Sequence, residues 1–193
     1  MDRWKERVIA ILLVVGLLFL SIQSYIVVRR LEAQAVSLAR ENKLLQEELG
    51  YRDRWLEEKM GVVRHLNKDI SVEDGRLILR EIWRYAKDYK LSPNLILAIV
   101  YIESAFDCRA VSTKGALGLM QVMPRYHPLP AGWDPFNIET NIAWGCTVLA
   151  DYQKKMGDIK GAVRAYYAGK KGARWKDAEE YLGKIMVTLD RGP

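Results

Sequence analysis

The chain has 193 residues, half of them hydrophobic, and a formal net charge of +6. That length holds one globular domain plus an extension, and the apolar content with mixed-sign charges excludes a disordered chain. The basic excess lies toward the C-terminal part, but no nucleic-acid-binding motif accompanies it, so no nucleic acid is expected as a partner.

The first element is an apolar run from Val8 to Val28, interrupted only mildly by Ser21, Gln23 and Ser24. About 20 apolar residues in a helix match the thickness of a bilayer. A cleaved signal sequence would have a shorter apolar core and a small-x-small cleavage site. Here Tyr25-Ile26-Val27-Val28-Arg29-Arg30 stands where that site would be, so the segment reads as an uncleaved anchor over residues 1–29. Basic residues flank both ends, so the charge rule does not orient it. The short N-terminal segment points to a cytoplasmic N-terminus with the bulk of the chain outside.

A helical pattern continues over residues 30–60. Leu31, Leu38 and Leu45 recur every seven residues, and Val28, Ala35, Asn42 and Leu49 fill the second core position of the same heptad. A polar Asn in such a seam favours a paired, in-register coil, hence a homodimer; a single amphipathic stalk helix fits the same pattern. Gly50 and Gly61 are expected to break the helix before the globular part, residues 61–193.

From Ser71 the pattern is that of a mainly α domain. Ser71 can cap a helix through Trp83 to Tyr89, with Leu79, Ile82, Trp83 and Ala86 on one face. Ser92-Pro93 is a cap followed by proline at the first helical position. The helix that follows, Asn94 to Ser104, is apolar nearly all round and should be the central buried one. A Gly/Ser/Thr-rich stretch to Gly118 precedes a short helix ending at Met123-Pro124, then a proline-rich loop. Further helices are predicted from Ile138 to Met156, after a cap at Asp158, and from Lys176 to Leu189. From Lys154 to Lys176 Asp158 is the sole acidic residue among many basic ones, which suits a solvated face or one that meets an anionic polymer. Cys108 and Cys146 have no zinc spacing, and His65 and His127 stand far apart, so neither a metal site nor a histidine triad is expected.

Glu103 follows Ile96, Ile99 and Val100 on one helix face, and that face belongs to the core. A carboxyl there is partly desolvated, which raises its pKa and suits it to general-acid chemistry. A glutamate at a helix end can equally form a salt bridge or face solvent. Around it, Gly115 and Gly118 allow close approach of backbone to a ligand, Gln121 offers donors and an acceptor, and Met123 offers a soft surface.

The series Glu103-Ser104-Ala105-Phe106, Ser112, Gly115-Ala116, Gly118-Leu119-Met120-Gln121 and Met123-Pro124 resembles the soluble lytic transglycosylases, a peptidoglycan-cleaving family. Asn141-Ile142 with Gly145 and Leu149, Ala165-Tyr166-Tyr167-Ala168-Gly169, and more weakly Glu180-Tyr181, follow in that family's order. The resemblance implies a lysozyme-like helical domain behind the anchor and stalk, on the outer side of a bacterial cytoplasmic membrane, acting on peptidoglycan glycan strands without cofactor. By carry-over, Glu103 would be the catalytic acid and base, and Tyr166 would hydrogen-bond and orient it. Ser112, Gln121 and Met123 would line the sugar subsites, with Tyr167 beside them. Tyr167 departs from the family's Asn, Val148 from its Tyr, and Lys170-Lys171 from its Gly-Pro-Gly run. The family chemistry needs one carboxyl and leaves a 1,6-anhydro end. A lysozyme-type hydrolase using Asp134 or Glu139, and a non-catalytic glycan-binding scaffold, are the alternatives.

Overall fold

The structure, a computed structural model, describes residues 3–172 and 176–191. The described residues form six helices and no strand, and the chain divides into two compact units, residues 1–51 and 52–193. Both units share the helix α1, Arg3–Leu66.

In the first unit α1 stands alone. Its apolar run is long enough to cross a membrane, and none of it is buried. The heptad residues Leu31, Leu38, Leu45 and Leu49 are likewise exposed. Gly50 and Gly61 do not break the helix, contrary to expectation. An interior glycine costs about 1 kcal/mol relative to alanine, which good helix formers on either side offset.

The second unit takes in the last turns of α1. Trp55, Met60 and Val63 are buried there, so residues 52–60, assigned by pattern to the stalk, supply core side chains together with Val63. Trp55 packs its ring 5.4 Å from that of Trp83, and its indole N–H donates to Asn94 Oδ1 at 2.7 Å. A buried indole needs such a partner, and Asn94 opens the central helix.

α2, Val72–Asp88, begins at Ser71, whose side chain accepts from the Asp74 amide at 2.9 Å. α3, Pro93–Ser104, is the core of the domain: Leu95 to Val100 are all buried. Each fully buried Leu or Ile contributes roughly 1.5–3 kcal/mol, which explains a helix with no polar face in its middle. α4, Ile138–Met156, is capped by Asn137 and stops at Gly157. It packs against α2 and against α5, Ile159–Gly172. α6, Lys176–Arg191, closes the domain against α3 and α5.

The short helix expected before Pro124 is absent. Leu117 instead makes isolated antiparallel bridges to Val111 and Val122. The reason is local: Gly115, Gly118 and Gln121 all have left-handed backbone, with φ of 86°, 69° and 46°, and such residues end a right-handed helix. The segment between α3 and α4 is therefore a folded loop, and it carries much of the site.

Candidate active site

Glu103 lies in the last turn of α3. Immediately after it, Ala105 and Phe106 both take left-handed backbone, φ 48° and 67°. Each such non-glycine residue costs on the order of 1 kcal/mol and persists only where the surroundings hold it. Here Phe106 is buried and stacks at 6.1 Å on Tyr101, Asn67 Nδ2 donates to the Ala105 carbonyl at 3.1 Å, and the Asp107 amide donates back to Ser104 O at 3.0 Å. The chain is thus turned sharply away just past the acid, leaving Glu103 at the edge of the core.

The carboxyl of Glu103 is pushed up from an ordinary value to about 7. Burial is the dominant cause; the hydrogen bond from Tyr181, whose hydroxyl donates to Glu103 Oε1 at 2.7 Å, opposes it. Among the described residues no charged side chain contributes to the shift. A carboxyl whose pKa is higher in the folded than in the unfolded chain favours folding below the unfolded value. That contribution is lost as pH rises through about 7. By linkage the loss amounts to roughly 3 kcal/mol. Keeping this acid desolvated therefore costs stability at neutral and alkaline pH.

Tyr181 is the residue the motif reading missed as a site member, and Tyr166 is not where that reading put it. The Tyr166 hydroxyl donates to the Met120 carbonyl at 2.7 Å, not to Glu103. Burial raises both phenols well above their usual range, and the Glu103 charge adds to each shift, so both stand near the acid. α5 presents Tyr166 to the loop, while α6 presents Tyr181 to the carboxyl. Tyr181 carried a signal in the weak Glu180-Tyr181 match, but a contact across 78 residues of chain has no local pattern.

The loop is held from beneath by Asn141, a buried polar residue of α4. Its Oδ1 accepts from the Met120 amide at 2.8 Å, and its Nδ2 donates to Leu117 O at 3.0 Å and Pro135 O at 2.7 Å. A buried side-chain amide is tolerated only when so satisfied. Gln121 Nε2 donates to Ala110 O at 3.1 Å and Gly118 O at 2.9 Å, and Ser112 Oγ accepts from the Ala116 amide at 2.9 Å. Both side chains therefore brace the loop. Each is half-buried, as is Met123, whose carbonyl accepts from the Tyr126 and His127 amides at 3.0 Å. Tyr167 is half-exposed and stacks on Tyr181, ring centroids 4.9 Å apart and planes 19° apart.

The other carboxylates considered for a second role are engaged elsewhere. Glu139 Oε1 accepts from Arg84 at 2.9 Å, Asp134 Oδ1 from the Phe136 amide at 2.9 Å, and Asp107 Oδ1 from the Arg109 amide at 2.8 Å. In the basic region Arg164 pairs with Glu179 at 3.1 Å and Lys176 with Glu180 at 3.7 Å. The side chains of Lys170 and Lys171, and all of Arg174, lie outside the described residues. Cys108 and Cys146 are free thiols.

The desolvated carboxyl of Glu103 thus stands at the end of the central helix of a helical domain, near two phenols and a braced loop. A family model described as the transglycosylase SLT domain matches residues 81–186, and the chain belongs to that family. It is 32% identical over 103 residues to a transglycosylase of Enterobacteria phage PRD1, across 53% of this chain and 39% of that one. It is 50% identical over 51 residues to membrane-bound lytic murein transglycosylase C of Actinobacillus pleuropneumoniae serotype 5b, across 26% of this chain and 14% of that protein. The chain thus spans well under half the length of these relatives. Among solved structures it resembles the 70 kDa soluble lytic transglycosylase of Escherichia coli, with TM-score 0.53 and 19% identity over 70% of this chain and 28% of that one. It also resembles an inactive mutant of the lytic transglycosylase Slt of Pseudomonas aeruginosa, with TM-score 0.50 and 22% identity over 74% and 28%. At those identities the likeness is one of fold, and it is the lysozyme-like helical fold that the motifs imply.

The loop geometry makes one substitution decisive. Gly118 has φ 69°, and a Cβ there would lie 2.5 Å from Pro135 O and 2.8 Å from Asn141 Cγ. Gly118→Ala is expected to destabilise the domain by about 2 kcal/mol or more, combining left-handed strain with a clash against backbone. Urea unfolding of the two proteins checks this; equal midpoints would mean that the Asn141 clamp is not rigid.

Proposed function

We propose that the protein is a membrane-anchored lytic transglycosylase in which Glu103 alone serves as general acid and then general base. The observation that carries this is the Glu103 carboxyl itself: half-buried, raised by desolvation to about 7, and held by Tyr181. A catalytic acid works best with its pKa near the working pH.

In this reading the substrate is the β-1,4 bond between MurNAc and GlcNAc in peptidoglycan. Glu103 gives its proton to the glycosidic oxygen as the bond from MurNAc C1 breaks. The N-acetyl group of the same sugar stabilises the charge that develops at C1. The Glu103 carboxylate then takes the proton of the MurNAc 6-hydroxyl, whose oxygen bonds to C1. The proton balance closes on Glu103, no water is consumed, and the product is a 1,6-anhydroMurNAc end. Tyr181 orients the acid, and Tyr166 acts through the Met120 carbonyl to hold the loop. Ser112, Gln121, Met123 and Tyr167 line the sugar subsites, with the loop braced by the first two. Hydrolysis by inversion or retention uses two carboxyls, and the engagement of Asp134 and Glu139 elsewhere speaks against it.

Peptidoglycan lies outside the cytoplasmic membrane, so the apolar part of α1 would be a single span of that membrane with residues from Arg52 onward on its outer side. The test is mass spectrometry of products from purified sacculi incubated with the full chain and with Glu103→Gln. Wild type is expected to release muropeptides with anhydro ends, one water lighter than reducing ends, and the variant none. Glu103→Gln should be at least as stable as wild type at pH 8, because a neutral amide replaces a buried charge. Anhydro products from the variant would overturn the assignment, and reducing ends from wild type would indicate a hydrolase.

The exposed heptad seam of α1 supports a second part of the reading, a homodimer through a paired coil with Asn42 setting the register. Leu38→Cys, in the seam, should form a disulfide-linked dimer of the full chain in membranes. Ala33→Cys, on the opposite face of the helix, should not. Equal crosslinking at both would make α1 a spacer.

A further inference from the structure

Tyr167 and Tyr166 are neighbours on α5 that point to different partners. Tyr166 is fastened to the Met120 carbonyl at 2.7 Å, which fixes the rotation of α5 about its axis. Arg164, one turn earlier, reaches Glu179 of α6 at 3.1 Å. Just after them Gly169 leaves helical geometry, with φ 72° and ψ 164°, and ends the regular path of the helix. Between these restraints the Tyr167 ring lies nearly parallel to that of Tyr181, the residue whose hydroxyl reaches Glu103.

We propose that Tyr167 is a positioning residue for Glu103: by stacking on Tyr181 it fixes the plane of that ring and so keeps the Tyr181 hydroxyl on the carboxyl. The inference rests on the reading of Glu103 as the acid for its consequence in catalysis, but not for the contact itself. A tyrosine swings its hydroxyl through a wide arc with small rotations of its side chain, and a hydrogen bond weakens steeply once it is misaligned. A neighbouring ring at stacking distance restricts that rotation without touching the carboxyl.

The sign of the effect follows from the chemistry of the bond. A hydroxyl that donates to a carboxylate stabilises the charged form and lowers the pKa. Loosening Tyr181 removes that restraint, so the Glu103 midpoint should rise. Among the described residues, the ionisable groups that face Glu103 are Tyr181 of α6 and Tyr166 of α5, and no charged side chain contributes to its shift. A change at Tyr167 therefore has Tyr181 as its route to the acid.

The test uses the full chain in detergent micelles and two readouts, the Glu103 midpoint from carbon-13 NMR of labelled glutamate and the alkaline limb of the pH–rate profile on soluble glycan strands. Tyr167→Leu keeps apolar bulk over Tyr181 but removes the stack, and Tyr167→Phe keeps the stack. With Leu the midpoint is expected to rise by about half a unit, a threefold change in the protonation constant. With Phe it should stay at the wild-type position. In a Tyr181→Phe background, where no hydroxyl remains to be positioned, Tyr167→Leu should add nothing. The inference is overturned if the Leu variant leaves the midpoint in place, lowers it, or shifts it equally in the Tyr181→Phe background. The midpoint is read without turnover, so a failure of Glu103 as the catalyst would show separately, as an alkaline limb that does not follow the midpoint.

Discussion

A carboxyl held out of water at the end of a helix is the constraint around which this domain is arranged. Desolvating Glu103 costs stability wherever it ionises, and the rest of the site makes that arrangement persist. α3 is buried from Leu95 to Val100 and brings Glu103, in its half-buried last turn, to the edge of that core. Two left-handed residues, Ala105 and Phe106, turn the chain away so that nothing in the helix continues over the acid. Tyr181 provides one hydrogen bond, enough to orient the carboxyl but not enough to return its pKa to an ordinary value. Burial exceeds hydrogen bonding in that balance, and the result is an acid poised to hold its proton near neutral pH.

The second requirement is a rigid floor, and α4 provides it through one side chain. Asn141 spends its amide on three backbone groups of the loop, so the loop is fastened to a helix that is itself buried between α2 and α5. Tyr166 adds a fourth attachment at the Met120 carbonyl. Loops that carry function are commonly mobile, but here the backbone groups are satisfied from below, which leaves the upper side for a ligand. The same economy extends to Ser112 and Gln121, whose hydrogen bonds to their own loop fix the positions from which they would meet a sugar.

Much of this was legible in the sequence because it is local. The caps at Ser71 and Asn137, the proline at the start of α3, the stop at Gly157 and the all-round apolar character of Leu95 to Val100 are written in neighbouring residues. Glu103 could be picked out by its spacing from Ile96, Ile99 and Val100. What was not legible depends on distance or on unusual backbone. Tyr181 reaches Glu103 from another helix, and its partner cannot be read from periodicity. Tyr166 was matched to a motif correctly placed in the chain, yet its hydroxyl goes to a backbone carbonyl, an acceptor that sequence does not display. Gln121 has a side chain compatible with a helix, and its left-handed φ arises from the loop's bonds to Asn141 and Gly118. Gly50 and Gly61 looked like breaks because glycine is a weak helix former, but each is outweighed by its neighbours.

The central claim is that burial, moderated by a single phenol, keeps Glu103 protonated near neutral pH. Its most direct test is the titration of that one carboxyl in the wild-type full chain, followed by carbon-13 NMR and assigned with Glu103→Gln. The account predicts a midpoint at about 7. A midpoint in the ordinary range for an exposed glutamate, about 4.3, would contradict it.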